Sequence, residues 1–449
     1  MGNFIMIAQL ILGLSLIVGL HELGHLLAAK YFKIRVEKFS IGFPPKIFSV
    51  KWGQTEYSFG IIPLGGFVKI AGMMDESFDK EQLAEAPKED EFRSKPAWQR
   101  LIVMIGGVSV NIITGILMFI GLTYFTGESY LPMSEAKYGI VAYEKAEQIG
   151  LKTGDKIVKV NGKKIEKFDD ILSPEVLLAS KSYYTIERDG KQMDINLPTN
   201  LVEVLSNKNP PPFLSPMMPF SVGEIIEKDA QNQPSPAKKI GLKKGDRFVA
   251  IEGQKIQYFH EFQNIIKKYQ EENQKNKNSK EIEFTILRGN QELKLKTQLD
   301  KNGKLGFTPK PDFKYNQQYF GILEAITKGT EQAFSSVWYN IQGMGKLFRQ
   351  EVSTRSVSGP IGIAQVFGTN WDWMRFWRIL GVLSMWLAFM NMLPIPILDG
   401  GHVMFLIYEI VSGRKPSDKF MEIALTIGFF LIMGLMVFVL ANDIFNLFF

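Results

Sequence analysis

The chain has no cysteine, which removes disulfide frameworks, cysteine-ligated zinc and thiol nucleophiles together. Histidine is nearly as scarce, with only His21, His25, His260 and His402 in 449 residues. Any imidazole-based metal site must draw on these four. Positive charge is missing from particular places rather than from the whole. No Lys or Arg precedes Lys30, none occurs in residues 101–125 or 379–412, and none follows Lys419. The formal net charge of +6 would suit a nucleic-acid binder. Basic residues that flank uncharged apolar runs are instead a topological signal, so nucleic acid is set aside as a partner.

Apolar residues fill those bare stretches. The run over residues 4–29 is too long for a signal-peptide core and continues through His-Glu without a cleavage site, so it reads as a retained membrane helix occupying residues 1–30. Further spans are expected at 98–126, at 376–411 as a broken helix, and at 420–441, each near the ~20 residues needed to cross a bilayer. Arg414, Lys415 and Lys419 lie between the last two spans and place that connection in the cytoplasm. Residues 31–97 fall on the same side, and both termini and residues 126–375 fall outside. The expected class is a polytopic α-helical membrane protein with four transmembrane helices, in contact with membrane lipid.

The region between the second and third spans contains one segment twice. Residues 149–165, IGLKTGDKIVKVNGKKI, and 240–256, IGLKKGDRFVAIEGQKI, match at ten of seventeen positions. Each reads as a helix end closed by Gly, a Lys-x-Gly-Asp turn, a strand, an Asn-Gly or Glu-Gly turn and another strand. The pattern resembles the PDZ domain and predicts two tandem, mainly β modules at 135–205 and 218–312. PDZ domains often bind a peptide as an added strand, which implies contact with substrate or envelope peptides. Residues 210–212 and 231–236 read as Pro-rich punctuation, 271–280 as a polar loop tip and 75–91 as a solvated acidic linker. Over 318–350, Leu323, Ile326, Phe334, Val337, Trp338, Ile341, Met344 and Phe348 recur at helical spacing, and this amphipathic stripe is assigned to packing.

The chemistry is concentrated in the first span, where His21-Glu22-Leu23-Gly24-His25 forms an H-E-x-x-H pattern. Two histidines at i and i+4 share one helix face and can bind one zinc ion, with Glu22 beside them as a base. Ionisable groups inside a membrane are costly and usually functional. A catalytic zinc needs a third protein ligand, for which Asp399, His402, Glu409 and Asp443 are the candidates in the other apolar runs. Asp399 is favoured by its setting, since two prolines and two glycines between Asn391 and His402 break the helix at membrane depth, where broken backbone lines a cavity. His402 is assigned a packing or supporting role.

Taken together, His21-Glu-Leu-Gly-His25, Asn391-x-x-Pro394-x-Pro396-x-Leu398-Asp399-Gly400, residues 62–69 and 106–111 and the two PDZ-like modules resemble the site-2 protease family of intramembrane metalloproteases. Its bacterial regulator-of-sigma-E protease branch is the most similar. The resemblance implies that His21, His25 and Asp399 hold zinc, that Glu22 is the general base, and that Asn391 holds substrate or the developing oxyanion. It also implies a bacterial inner-membrane protein whose PDZ modules face the periplasm and screen substrates. Gly107-Val stands where relatives often have Gly-Pro, a departure that weakens any role for Asn111.

A helical substrate must unwind before attack, and something must then satisfy its freed backbone. Residues 57–70 read as two apolar strands joined at Pro63-Leu64-Gly65-Gly66, a membrane-associated β-hairpin that can pair an unwound substrate edge to edge around Gly65 and Gly66. The expected activity is a zinc endopeptidase cutting within single-span membrane proteins, such as an anti-sigma factor or signal-peptide remnants. One rival is an envelope peptide-binding PDZ scaffold with a vestigial metal site, which the intact set of His21, Glu22, His25 and Asp399 opposes. Another is a metal transporter, which would need more polar residues along the spans.

Overall fold

The computed structural model describes residues 2–73, 86–205, 212–229, 231–276 and 280–448. Most of the expected acidic linker and of the Pro-rich stretch at 210–212 lies outside them. The chain forms two compact units, residues 1–128 with 318–449, and residues 129–317.

The first unit opens with α1 (Gly2–Tyr31), followed by β1 (Val36–Trp52), β2 (Thr55–Ile70) and α2 (Ala97–Thr126). It resumes with α3 (Ile322–Phe348), α4 (Pro360–Phe367), α5 (Trp373–Asn391), α6 (Asp399–Ser412) and α7 (Asp418–Phe448). Among the described residues three helices are long and apolar enough to cross a membrane: Gly2–Tyr31, Ala97–Thr126 and Lys419–Asn446. The run expected at 376–411 is divided between α5 and α6. Pro394 and Pro396 supply no N–H to a helix ladder, and Gly400 and Gly401 let the intervening turn fold onto the start of α6. A Cβ on Gly400 would lie 2.3 Å from the Leu393 carbonyl oxygen, and one on Gly401 2.3 Å from Pro396 Cα. The break is therefore written into the backbone, and it sets Asp399 at the first position of a helix.

Helices α1 and α2 meet backbone to backbone. A Cβ on Gly24 would lie 2.3 Å from the Gly106 carbonyl oxygen, and one on Gly106 2.7 Å from that of Gly24. Small residues permit this approach where dispersion, not water release, drives helix pairing. Helix α3 obeys the same rule and corrects part of the expected packing stripe. Its buried residues include Ala325, Gly329 and Ala333, and a Cβ on Gly329 would lie 2.6 Å from Ile120 Cα in α2. Leu323, Phe334, Trp338 and Phe348 are exposed instead. Large side chains would hold the two axes apart, so the small residues make the closest approach, with Val337 of the stripe packed beside them against Phe119 and Met385.

The β element also departs from expectation. β1 and β2 join at a turn at Gly53, and each strand folds back on itself, β2 reversing between Phe59 and Gly66 around the expected joint. Lys38, Phe39, Ser40 and Ile41 pair with Lys69, Val68, Phe67 and Gly66 on one side and with Glu56, Tyr57, Ser58 and Phe59 on the other. The two halves of 57–70 thus flank 38–41 rather than pair with each other. Residues 66–70 form an outer edge of this doubled hairpin.

The second unit carries the sequence repeat. Two four-stranded sheets have the same order: residues 163–164, 156–160, 182–188 and 191–197 in one, and residues 254–255, 247–251, 282–288 and 291–297 in the other. The Asn161-Gly162 and Glu252-Gly253 turns have positive φ at both residues, the geometry of a tight hairpin with the right-handed twist. The repeated Gly-Asp pair has a structural use. Asp155 accepts from the Lys152 N–H at 2.7 Å and from Arg188 through two nitrogens at 2.6 Å each, while Arg188 donates to the Gly150 carbonyl at 2.8 Å. Asp246, Lys243, Arg288 and Gly241 repeat the lock at 2.8 Å throughout. Burial favours the neutral carboxyl of Asp246, but the Arg288 fork and the Lys243 N–H outweigh it and hold the group below the usual carboxylate range. The expected loop tip at 271–280 is helical over its described start, because a helix spans Phe259–Asn276. Glu271-Glu-Asn-Gln-Lys-Asn276 contains neither Gly nor Pro to end it.

Candidate active site

His21 and His25 lie one turn apart on α1, both 5% exposed, with Nε2 atoms 3.2 Å from each other. Asp399 Oδ2 reaches in from α6, 3.1 Å from His21 Nε2 and 3.4 Å from His25 Nε2. These three ligand atoms are the group among the described residues able to hold one metal ion. Asp399 Oδ2 is buried and has no hydrogen-bond partner despite this crowding. A carboxylate oxygen left without a hydrogen-bond partner beside two converging imidazole nitrogens suits a cation at their centre. Two nitrogens and one oxygen also match a catalytic zinc, which keeps a position open for water or substrate.

The supporting contacts come from α2 and α5. His25 Nδ1 donates to the Val103 carbonyl at 2.8 Å, which leaves Nε2 free to act as a ligand. Gly107 faces the gap between the rings, where a Cβ would lie 2.4 Å from His25 Nε2 and 2.8 Å from His21 Nε2. Asn391, the last residue of α5, places Nδ2 3.2 Å from His21 Nε2. Asn111, discounted from the sequence, is fully buried with Nδ2 3.2 Å from His21 Nδ1. Its signal was present in the segment 106–111, where Gly107 and Asn111 recur at i and i+4, but an Asn in an apolar run carries no mark of its partner.

A cavity of about 680 Å³ opens on these groups. Glu22, Gly65, Gly66, Asn391, Asp399 and His402 are among its lining residues, as are His21 and His25. The Val68 backbone lies beside the Glu22 carboxyl, so the outer edge of the β element faces the acid. A Cβ on Gly66 would meet the Ser40 carbonyl oxygen at 2.6 Å, so the bare Gly lets this edge pack onto its neighbouring strand, with Glu22 Cγ only 3.6 Å from the same position.

The other candidates for the third ligand have different work. His402 lines the cavity but stands outside the three-atom cluster. Glu409 pairs with Arg100 at 2.5 Å and ties α6 to α2. Asp443 accepts from the N–H groups of Gly359, Ile361 and Gly362 at 2.8, 2.8 and 3.3 Å, closing the N-terminus of α4. His260 belongs to the second unit, where burial lowers its pKa and its ring stacks beside Tyr258.

An H-E-x-x-H helix joined by a carboxylate from a broken apolar run defines a membrane-associated zinc metalloprotease. The model of peptidase family M50 matches residues 9–435, and the chain belongs to that family, the site-2 proteases. It is 29% identical to the regulator of sigma E protease of Haemophilus influenzae over 463 residues, covering 98% of this chain and 99% of the relative. It is also 29% identical to a Pasteurella multocida protein named "Putative zinc metalloprotease", covering 98% of each. A Thermotoga maritima protein of the same name is 27% identical, again covering 98% of each.

Proposed function

We propose that the chain is an intramembrane endopeptidase that cuts within the spanning segment of single-span membrane proteins, an anti-sigma factor or a signal-peptide remnant being the substrate class. The observation that carries this reading is the gathering of His21, Glu22, His25 and Asp399 on one cavity, contributed by two apolar runs of the chain. Helices α5 and α6 together make the crossing between α2 and α7, so four crossings leave both termini on one side. Arg414, Lys415 and Lys419 assign the α6–α7 connection, the β element and the site to the cytoplasmic side of the bacterial inner membrane.

Zinc held by His21, His25 and Asp399 would supply Lewis acidity to an attacking water and to the carbonyl under attack. Glu22 takes the proton from that water and passes it to the leaving amine. Asn391 donates an amide N–H toward the carbonyl oxygen of the scissile bond, where negative charge grows. Residues 66–70 offer an outer strand edge beside Glu22, and pairing there satisfies the backbone of an unwound substrate. Gly65 and Gly66 keep that edge free of side chains near the acid. Mass spectrometry of the products from a purified single-span substrate should place the cut inside its apolar segment. A cut confined to the polar flanks would overturn the intramembrane reading.

The second unit, as two PDZ-like modules at 135–205 and 218–312, screens substrates outside the membrane. Deleting residues 137–310 leaves the metal-binding residues, Glu22 and the β edge intact. A full-length substrate with a bulky outer domain should then be cut at least about tenfold faster, while a short membrane peptide is cut at the original rate. An unchanged ratio between the two substrates in a peptide-active deletion variant would show that the modules do not filter by size.

A further inference from the structure

The face that α2 turns toward the histidines is a stripe of three residues at i, i+4 and i+8. Val103 offers its carbonyl to His25 Nδ1, Gly107 leaves the space that the two rings fill, and Asn111 meets His21 Nδ1. The two ends of the stripe face the two Nδ1 atoms, the ring atoms directed away from Asp399. At the Val103 end the chemistry is fixed, because a carbonyl only accepts and His25 Nδ1 must carry the proton. At the Asn111 end either amide atom can face the ring, since Oδ1 and Nδ2 are nearly the same size and are assigned from their hydrogen bonds.

We propose that Asn111 is a positioning residue for the metal site, with Oδ1 turned to accept from His21 Nδ1–H so that Nε2 is left as the ligand atom. Three observations carry this assignment. His21 Nε2 points at Asp399 Oδ2, 3.1 Å away, so it is the ligand atom, and a neutral imidazole that binds metal through Nε2 carries its proton on Nδ1. With Nδ2 facing that proton, two donors would oppose each other across 3.2 Å. In that orientation Asn111 Oδ1 is also buried with no hydrogen-bond partner, and turning the amide gives the oxygen a donor. The residue is held for this task, because its own backbone carbonyl accepts from Ser384 Oγ at 2.8 Å and ties this point of α2 to α5.

The inference rests on the metal-site reading, and zinc affinity tests both separately. Purified full-length protein in detergent is titrated with zinc against a competing chelator. The wild-type chain should bind about one zinc tightly and the His21→Ala variant should not; failure of that contrast sinks the metal site itself. Given that contrast, Asn111→Leu, similar in size but without an acceptor, should bind zinc about 10- to 100-fold more weakly. Asn111→Asp, which only accepts, should bind as tightly as wild type or more tightly. A purely structural role for the amide would weaken both variants alike. An Asn111→Asp variant tenfold weaker than wild type would overturn the proposal without reference to Leu, because it would mean that the amide donates to the ring. An Asn111→Leu variant that binds zinc like wild type would overturn it as well.

Discussion

Glu22→Gln is expected to retain about one zinc per chain while peptide cleavage falls by at least about a hundredfold. The carboxylate lines the cavity beside His21 and His25 but is outside the three-atom ligand cluster, so an amide in its place leaves the metal donors untouched. Gln is close to Glu in size, so the contact with Val68 and the approach of Gly66 are preserved. An amide cannot take a proton from water at neutral pH, and loss of a positioned general base typically costs about 10²- to 10⁴-fold. Metal analysis and cleavage of a membrane peptide by one purified preparation check both halves. Hydrolysis within tenfold of wild type would remove Glu22 from the chemistry.

Asp399→Ala is expected to lose zinc and activity together, whereas His402→Ala keeps most of its metal. Asp399 Oδ2 lies 3.1 and 3.4 Å from the two Nε2 atoms, and without it two imidazoles remain where a catalytic zinc takes three protein ligands. His402, one turn along α6, lines the same cavity without joining the ligand cluster. Metal content of the two purified variants decides the assignment. A His402 variant that comes out empty beside a metal-loaded Asp399 variant would reverse it.

The grouping of the candidate site residues was more legible in the sequence than the architecture around them. His21, His25 and Asp399 belong to short motifs, and the folded chain brings one possible ligand atom from each within 4.8 Å of the others. The 17-residue repeat likewise surfaces as two sheets of identical strand order. What eluded the sequence depends on partners distant in the chain. Residues 57–70 looked like a hairpin because both halves are apolar, and only tertiary folding inserts Lys38–Ile41 between them. The stripe on α3 looked like a packing face because large apolar residues recur at helical spacing. Between helices in close contact, the small residues Ala325, Gly329 and Ala333 make the approach, and of the stripe Val337 packs beside them. Asn111 was discounted because a neighbouring residue departs from the family pattern, yet its own side chain faces His21.

The central claim is that one zinc site in this chain cuts peptide bonds within the membrane. Purified full-length protein should therefore be stripped with a zinc chelator, reloaded with zinc, and assayed at each stage on a single-span substrate, with metal content measured in parallel. Cleavage inside the apolar segment should disappear with the metal and return in proportion to zinc rebound, up to one per chain. Cleavage at the same position that continues undiminished in protein shown to be free of metal would contradict the account.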